Sequence, residues 1–209
     1  FDDFCCTGEW DSTCAATALS FCGTTGFDCD FPTEACTYTE LEACGGDLNG
    51  GCNSDIPLYE TISVGERVCG TFQADTETRD TDWYQFSLAQ RSVVNWTVYS
   101  RVDVTVLIIR VNECNVDVDG NDDITIVAAG DASGSCPNNA TNCLDAGTYV
   151  AFVAPIVEGG LPCGTLDFND YYGVLTADAV SVCPGVEECG PFEASYTENS
   201  DIVPTAGDI

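Results

Sequence analysis

The sequence contains no histidine, no lysine and no methionine, and its basic residues are five arginines: Arg67, Arg79, Arg91, Arg101 and Arg110. Without histidine, a Ser-His-Asp triad and the usual catalytic zinc sites are excluded. Without lysine there is no P-loop and no Schiff-base chemistry. Positive charge is scarce: Lys plus Arg is 5 and Asp plus Glu is 35, so the net charge is 5 − 35 = −30. Such a surface repels nucleic acid and anionic membranes. Long hydrophobic runs are also missing. The longest, Val104 to Val111, is broken by Arg110 and falls far short of the ~18 residues of a membrane span. Membrane insertion and nucleic-acid partners are therefore not expected.

What the chain does have is cysteine, 15 in 209 residues, and a hydrophobic content of 44%. That content is enough for a buried core. So many thiols point to an oxidising, extracellular or cell-surface setting. A metal cluster would need CxxC pairs, usually with histidine, and neither is present. The expectation is a disulfide framework drawn from Cys5, Cys6, Cys14, Cys22, Cys29, Cys36, Cys44, Cys52, Cys69, Cys114, Cys136, Cys143, Cys163, Cys183 and Cys189. The count is odd, so one thiol is free, linked to a neighbouring chain, or the partner of a cysteine lying upstream. The chain opens at Phe1 without a signal peptide and reads as a mature or trimmed secreted form.

The cysteines are dense up to Cys52 and sparse afterwards. Three segments follow: a Cys-rich module over 1–44, a larger body over 45–178 and an acidic tail over 179–209. In the first, Asp11 to Cys22 reads as a short helix, with Asp11 or Ser12 as N-cap and Ala16, Ala18 and Leu19 as helix formers. From Gly65 onward the pattern is that of strands. The predicted strands are Arg67–Ala74, Asp82–Leu88, Val93–Tyr99, Val102–Val111, Ile124–Ala128, Thr148–Val153 and Tyr171–Thr176. Many short strands without helices between them predict a mainly β fold, a jelly-roll-like antiparallel sandwich.

The body resembles the bacterial pre-peptidase C-terminal domain. The resemblance rests on Val68-Cys-Gly-Thr-Phe-Gln-Ala-Asp75, Asp80-Thr-Asp-Trp-Tyr-Gln-Phe-Ser-Leu88 and Leu144-Asp-Ala-Gly-Thr-Tyr-Val-Ala-Phe-Val153, in order. It spans roughly Gly51 to Ala177 and implies a sandwich used as an accessory module of secreted proteins. The N-terminal Phe4-Cys-Cys-Thr-Gly-Glu-Trp-Asp-Ser-Thr-Cys14 is similar to CC-x3-WD-x2-C modules of large secreted bacterial proteins. This chain departs from the sandwich family in its wealth of cysteine and in an insertion from Asn112 to Asp123.

Several groups are candidates for chemistry. Asp117, Asp119, Asn121 and Asp123 place oxygens at alternating positions of a tight loop, as calcium sites do. Asp and Asn are also ordinary turn formers, and Asp122 stands where an EF-hand has glycine, so an EF-hand is excluded. Asp75, Glu77, Asp80 and Asp82 form a second acidic loop, either a capping turn or, as the resemblance implies, a neighbour of bound calcium. Asn95-Trp-Thr97 and Asn139-Ala-Thr141 are glycosylation sequons. Asn95 falls mid-strand, facing outward if Val94, Trp96 and Val98 face in, and Asn139 is expected in a loop. Trp83, Tyr84, Trp96, Tyr171 and Tyr172 either stack on sugars or fill the core, the commoner use of aromatics in strands. No carboxylate pair stands out among so many acids, so no catalysis is expected.

These features predict a non-catalytic structural subunit of an extracellular filament or sheath. It would be a homopolymer joined head to tail through a terminal segment such as Asp201-Ile-Val-Pro-Thr-Ala206 or the N-terminal module. The alternative is a calcium- or carbohydrate-binding accessory module of a larger secreted protein.

Overall fold

The computed structural model describes residues 29–46, 48–54, 56–75, 79–114, 123–131, 135–157, 159, 161–163 and 169–185. The predicted helix at Asp11–Cys22 and the tail beyond residue 185 lie outside the described residues. Among the described residues there are ten strands: β1 (Tyr38–Thr39), β2 (Glu60–Thr61), β3 (Arg67–Thr71), β4 (Asp82–Leu88), β5 (Ser92–Ser100), β6 (Val104–Glu113), β7 (Asp123–Ala129), β8 (Asn138–Leu144), β9 (Gly147–Pro155) and β10 (Asp170–Ala179). They form two five-stranded sheets, in the orders β1-β3-β10-β5-β8 and β2-β4-β9-β6-β7.

The sandwich is not wholly antiparallel. β1 runs parallel to β3, and β2 runs parallel to β4, so both sheets are mixed. The reason is local. Each parallel strand is two residues long and is laid on a sheet edge by a connecting loop, where hydrophobic periodicity leaves no trace. A second correction concerns Asn139. It lies in strand β8, paired along β5 from Asn138↔Val98 to Leu144↔Ser92. The run Asn-Asn-Ala-Thr-Asn-Cys has weak β propensity, and pairing along seven positions of β5 overrides it.

The core lies between the sheets. Along β5, inward Val94, Trp96 and Val98 alternate with half-buried Val93, Asn95 and Thr97. Tyr84, Phe86 and Leu88 of β4 face them with Val106, Ile108, Ala151 and Val153. Trp96 has no exposed surface, and its indole N–H donates to the Phe152 carbonyl at 3.1 Å. It fits because Gly173 of β10, diagonal to it across the strand pair, has no side chain; a Cβ there would lie 2.1 Å from the indole ring.

A second apolar cluster covers the outer face of the β4–β9–β6 sheet: Trp83, Ile109, Val150, Phe152 and Ala154. This explains why the middle of β6 is apolar on both faces. The loop carrying Cys52 and Tyr59 packs over this cluster and is fastened by the Cys52–Cys114 disulfide. Gly51 lies under that loop with φ +54°, and a Cβ there would fall 2.2 Å from the Trp83 ring.

Four further disulfides join Cys29 to Cys136, Cys36 to Cys69, Cys44 to Cys163 and Cys143 to Cys183. Cys29, Cys36 and Cys44 each bond to a cysteine of the sandwich. Cys5, Cys6, Cys14, Cys22 and Cys189 lie outside the described residues.

Candidate functional site

One end of the sandwich gathers acidic side chains that water hardly reaches. They come from the segment after β1 (Glu40, Glu42), from β2 (Glu60), from the approach to β4 (Asp80) and from its first residue (Asp82), and the Asn49 amide lies beside them. Alternation explains the first group: Tyr38, Glu40 and Glu42 stand two residues apart in an extended chain, so they point the same way. Cys36–Cys69 and Cys44–Cys163 hold both ends of that segment. Asp82 begins β4 beside buried Trp83, with Val153 as its partner on β9.

Some of these carboxylates are well satisfied. Glu60 accepts from the Tyr38 hydroxyl at 2.7 Å and from the Leu41 amide at 2.9 Å. Glu42 accepts from the amides of Leu48 and Asn49. Glu40 is different. One oxygen accepts from the Thr71 amide at 2.7 Å, and the other is buried without a hydrogen-bond partner. Asp82 is fully buried, and neither of its oxygens makes a hydrogen bond. The side-chain oxygen and nitrogen of Asn49, also fully buried, are likewise unpaired.

The electrostatics follow. Burial first, then the negative charges of Glu40 and Asp80, push the Asp82 carboxyl well above its ordinary value. Asn49 and Tyr171 face Asp82 and oppose the shift, without reaching hydrogen-bond geometry. Glu40 is pushed up to about 8, chiefly by burial and then by Asp80, Glu42 and Glu60, against the Thr71 amide. The hydroxyls of Tyr84 and Tyr171 hydrogen-bond each other in the core, and burial and the charge of Asp82 raise both. The strongest charged neighbours of Glu40 and Asp82 are all acidic. A buried carboxylate in such company costs several kcal/mol when ionised, unless a proton or a cation neutralises it.

Two clefts lead toward this cluster. One, of about 340 Å³, is lined by Phe31, Thr39, Glu40, Glu42, Asp170 and Tyr171 among others. The other, of about 470 Å³, is lined by Gly45, Asn53, Gln73, Arg79, Asp80 and Thr81 among others. Orphaned carboxylate and amide oxygens are the donor set that hard cations such as calcium take. Among the described residues, however, no three Asp, Glu or Cys side chains converge closely enough to cage a metal ion as they stand.

Of the residues singled out from sequence, Asp80 and Asp82 belong to this cluster, and Asp75 is exposed on the same loop. Glu77, Asp117, Asp119 and Asn121 lie outside the described residues. Asp123 opens strand β7. The five candidate stacking aromatics, Trp83, Tyr84, Trp96, Tyr171 and Tyr172, are all buried, so they form no exposed platform. Sequence reading missed Glu40, Glu42, Asn49 and Glu60. The one available signal was the alternation of Tyr38, Glu40 and Glu42 between closely spaced cysteines.

The described chain is thus a disulfide-rich, two-sheet β-sandwich with a buried acidic end. Among solved structures it is similar to the pre-peptidase C-terminal domain of a collagenase from Bacillus anthracis. The two share 16% identity with a TM-score of 0.42, over 59% of this chain and 100% of that one. No family model matches the sequence, and no curated protein matches it.

Proposed function

We propose that this protein is a secreted, non-catalytic structural subunit that polymerises into an extracellular filament or sheath, a terminal segment of one copy adding to the sheet edge of the next. The observation that carries the reading is strand β7. Among the described residues it ends its sheet, is paired on one side by β6, and turns Ile124 and Ile126 to solvent at 37% and 56% exposure. These two side chains continue the outer apolar cluster, since Ile126 pairs with Ile109 and Ile124 with Val111. Soluble proteins usually blunt such an edge with charge or a short strand. β1 and β2 are blunted in that way, with two residues each. Asn142 of β8 occupies the Val127 carbonyl, which leaves Asp123 to Ile126 as the stretch for an incoming strand.

The segment Asp201-Ile-Val-Pro-Thr-Ala206 suits the role, with Pro204 at the strand's end. A head-to-tail contact of this kind does not close on itself and so propagates. Repulsion between copies at −30 each calls for cations or glycan between them. Negative-stain microscopy of the purified, oxidised protein tests the reading. Filaments are expected from the full chain, and single particles after removal of 191–209. Filaments unchanged by both EDTA and low pH would remove the cation from the account.

A second reading has its own observation. The unpaired oxygens of Asp82, Glu40 and Asn49 favour a calcium-binding accessory module of a larger secreted protein. Calorimetric titration of chelator-treated protein with CaCl2 tests it: saturable heat and a raised Tm are expected, and neither would appear if the cluster holds protons instead.

A further inference from the structure

Both sequons lie on one face of one sheet, and they lie against each other. β5 and β8 are antiparallel, with Asn95 opposite Thr141, Trp96 opposite Ala140, and Thr97 opposite Asn139. The middle residue of each tripeptide is fully buried: Trp96 and Ala140 both serve the core. Because strand side chains alternate, the Asn and Thr of both sequons point to solvent. Asn95, Thr97 and Asn139 are half-buried and Thr141 is exposed. The Thr141 hydroxyl donates to the Asn95 side-chain oxygen at 2.7 Å, and the Asn95 amide nitrogen donates to Thr97 at 3.1 Å. Polar side chains of a sandwich strand face solvent, because burying an amide without partners is costly. Here both face out, on neighbouring strands.

We propose that Asn95 and Asn139 both carry N-linked glycan, so that the outer face of the β5–β8 strand pair is covered with sugar. The two asparagines are diagonal neighbours, and such positions stand about 7–8 Å apart. Their first sugars therefore sit side by side over Thr97 and Thr141. Attachment takes place on the extended chain, because a paired mid-strand asparagine offers its amide poorly to a transferase. The donor class is a polyprenyl-(di)phosphate-linked oligosaccharide. The side-chain amide nitrogen forms a bond to the sugar C1, the C1–O bond to phosphate breaks, the lipid (di)phosphate leaves, and the amide proton passes to a transferase base. The inference stands whether or not the protein polymerises.

Peptide mapping by mass spectrometry of the protein from its native source tests it. After reduction, trypsin releases Ser92–Arg101 and an Asp-directed protease releases Asp131–Leu144. Each peptide is expected to carry sugar, with fragment ions placing it on Asn95 and Asn139. Unmodified asparagine at either site, or sugar confined to Ser and Thr, overturns the proposal. A second arm uses Thr97→Val, which keeps a β-branched strand residue. It is expected to lose the sugar at Asn95 and keep that at Asn139. Sugar persisting on Asn95 in that variant would overturn attachment through the sequon.

Discussion

At the scale of single residues, the molecule is most unusual at Asp82 and Glu40. Glu40 has a folded value of about 8 against an ordinary 4.5, so the folded state binds its proton more tightly than the unfolded state does. Stability contributed through this group is therefore complete below about pH 4.5 and is lost as pH rises toward 8. In EDTA, Tm is expected to fall across that interval. Under the calcium reading, added calcium is expected to flatten the fall, because a bound cation would replace the proton. A thermal-denaturation series at pH 5, 6, 7 and 8, with and without calcium, reads both effects. A Tm that rises with pH in EDTA would contradict the assignment. Asp82→Asn removes, with little change of shape, the need to bury a charge or to take up a proton at this position. At pH 8 in EDTA it should raise Tm, about 2–4 °C for each kcal/mol relieved. Under the calcium reading, any calcium-induced rise should shrink or vanish in the same variant.

At the scale of elements, close packing sets the constraints. Gly70 of β3 lies against Tyr171, and Gly173 of β10 lies against Trp96. A Cβ would come within 2.2 Å and 2.1 Å of those side chains. Gly173→Ala and Gly70→Ala should each destabilise by at least about 1–3 kcal/mol, the usual cost of overpacking. Denaturant unfolding measures this, and an unchanged midpoint would mean the rings have room to move.

Most strands were legible in the sequence, for a physical reason. β4, β5, β6, β9 and β10 bury one face or both, so their side-chain periodicity is strong. Asp82–Leu88 was readable to its ends. β1 and β2 were not, because two residues carry no period. β8 was not, because its Asn- and Thr-rich sequence becomes a strand only through β5. The candidate site was half legible. Asp80 and Asp82 stood beside a recognisable strand entrance, whereas Glu40, Glu42 and Glu60 are brought in by disulfides and short parallel pairings that no local pattern announces.

At the scale of the whole molecule, disulfides do what a longer chain would do with a larger core. Cys29–Cys136 and Cys44–Cys163 close loops of 107 and 119 residues. Cross-links over such spans stabilise by about 4–5 kcal/mol in the chain-entropy view. Replacing both Cys44 and Cys163 by Ser should cost about that much. It should also loosen the segment that carries Glu40 and Glu42, so under the calcium reading any calcium affinity is expected to fall together with Tm. Unchanged affinity in that double variant would detach the acidic cluster from the disulfide frame.

In the proposed filament, the same frame would keep the subunit stiff and the β7 edge would be the place where it is joined. Negative-stain microscopy of the full oxidised chain beside an Ile126→Lys variant tests this most directly. Ile126→Lys puts a charge on the exposed edge strand without touching the core. The account predicts filaments from the native chain and dispersed single particles from the variant. A native chain that stays monodisperse at every concentration, or a variant that forms the same filaments, would contradict it.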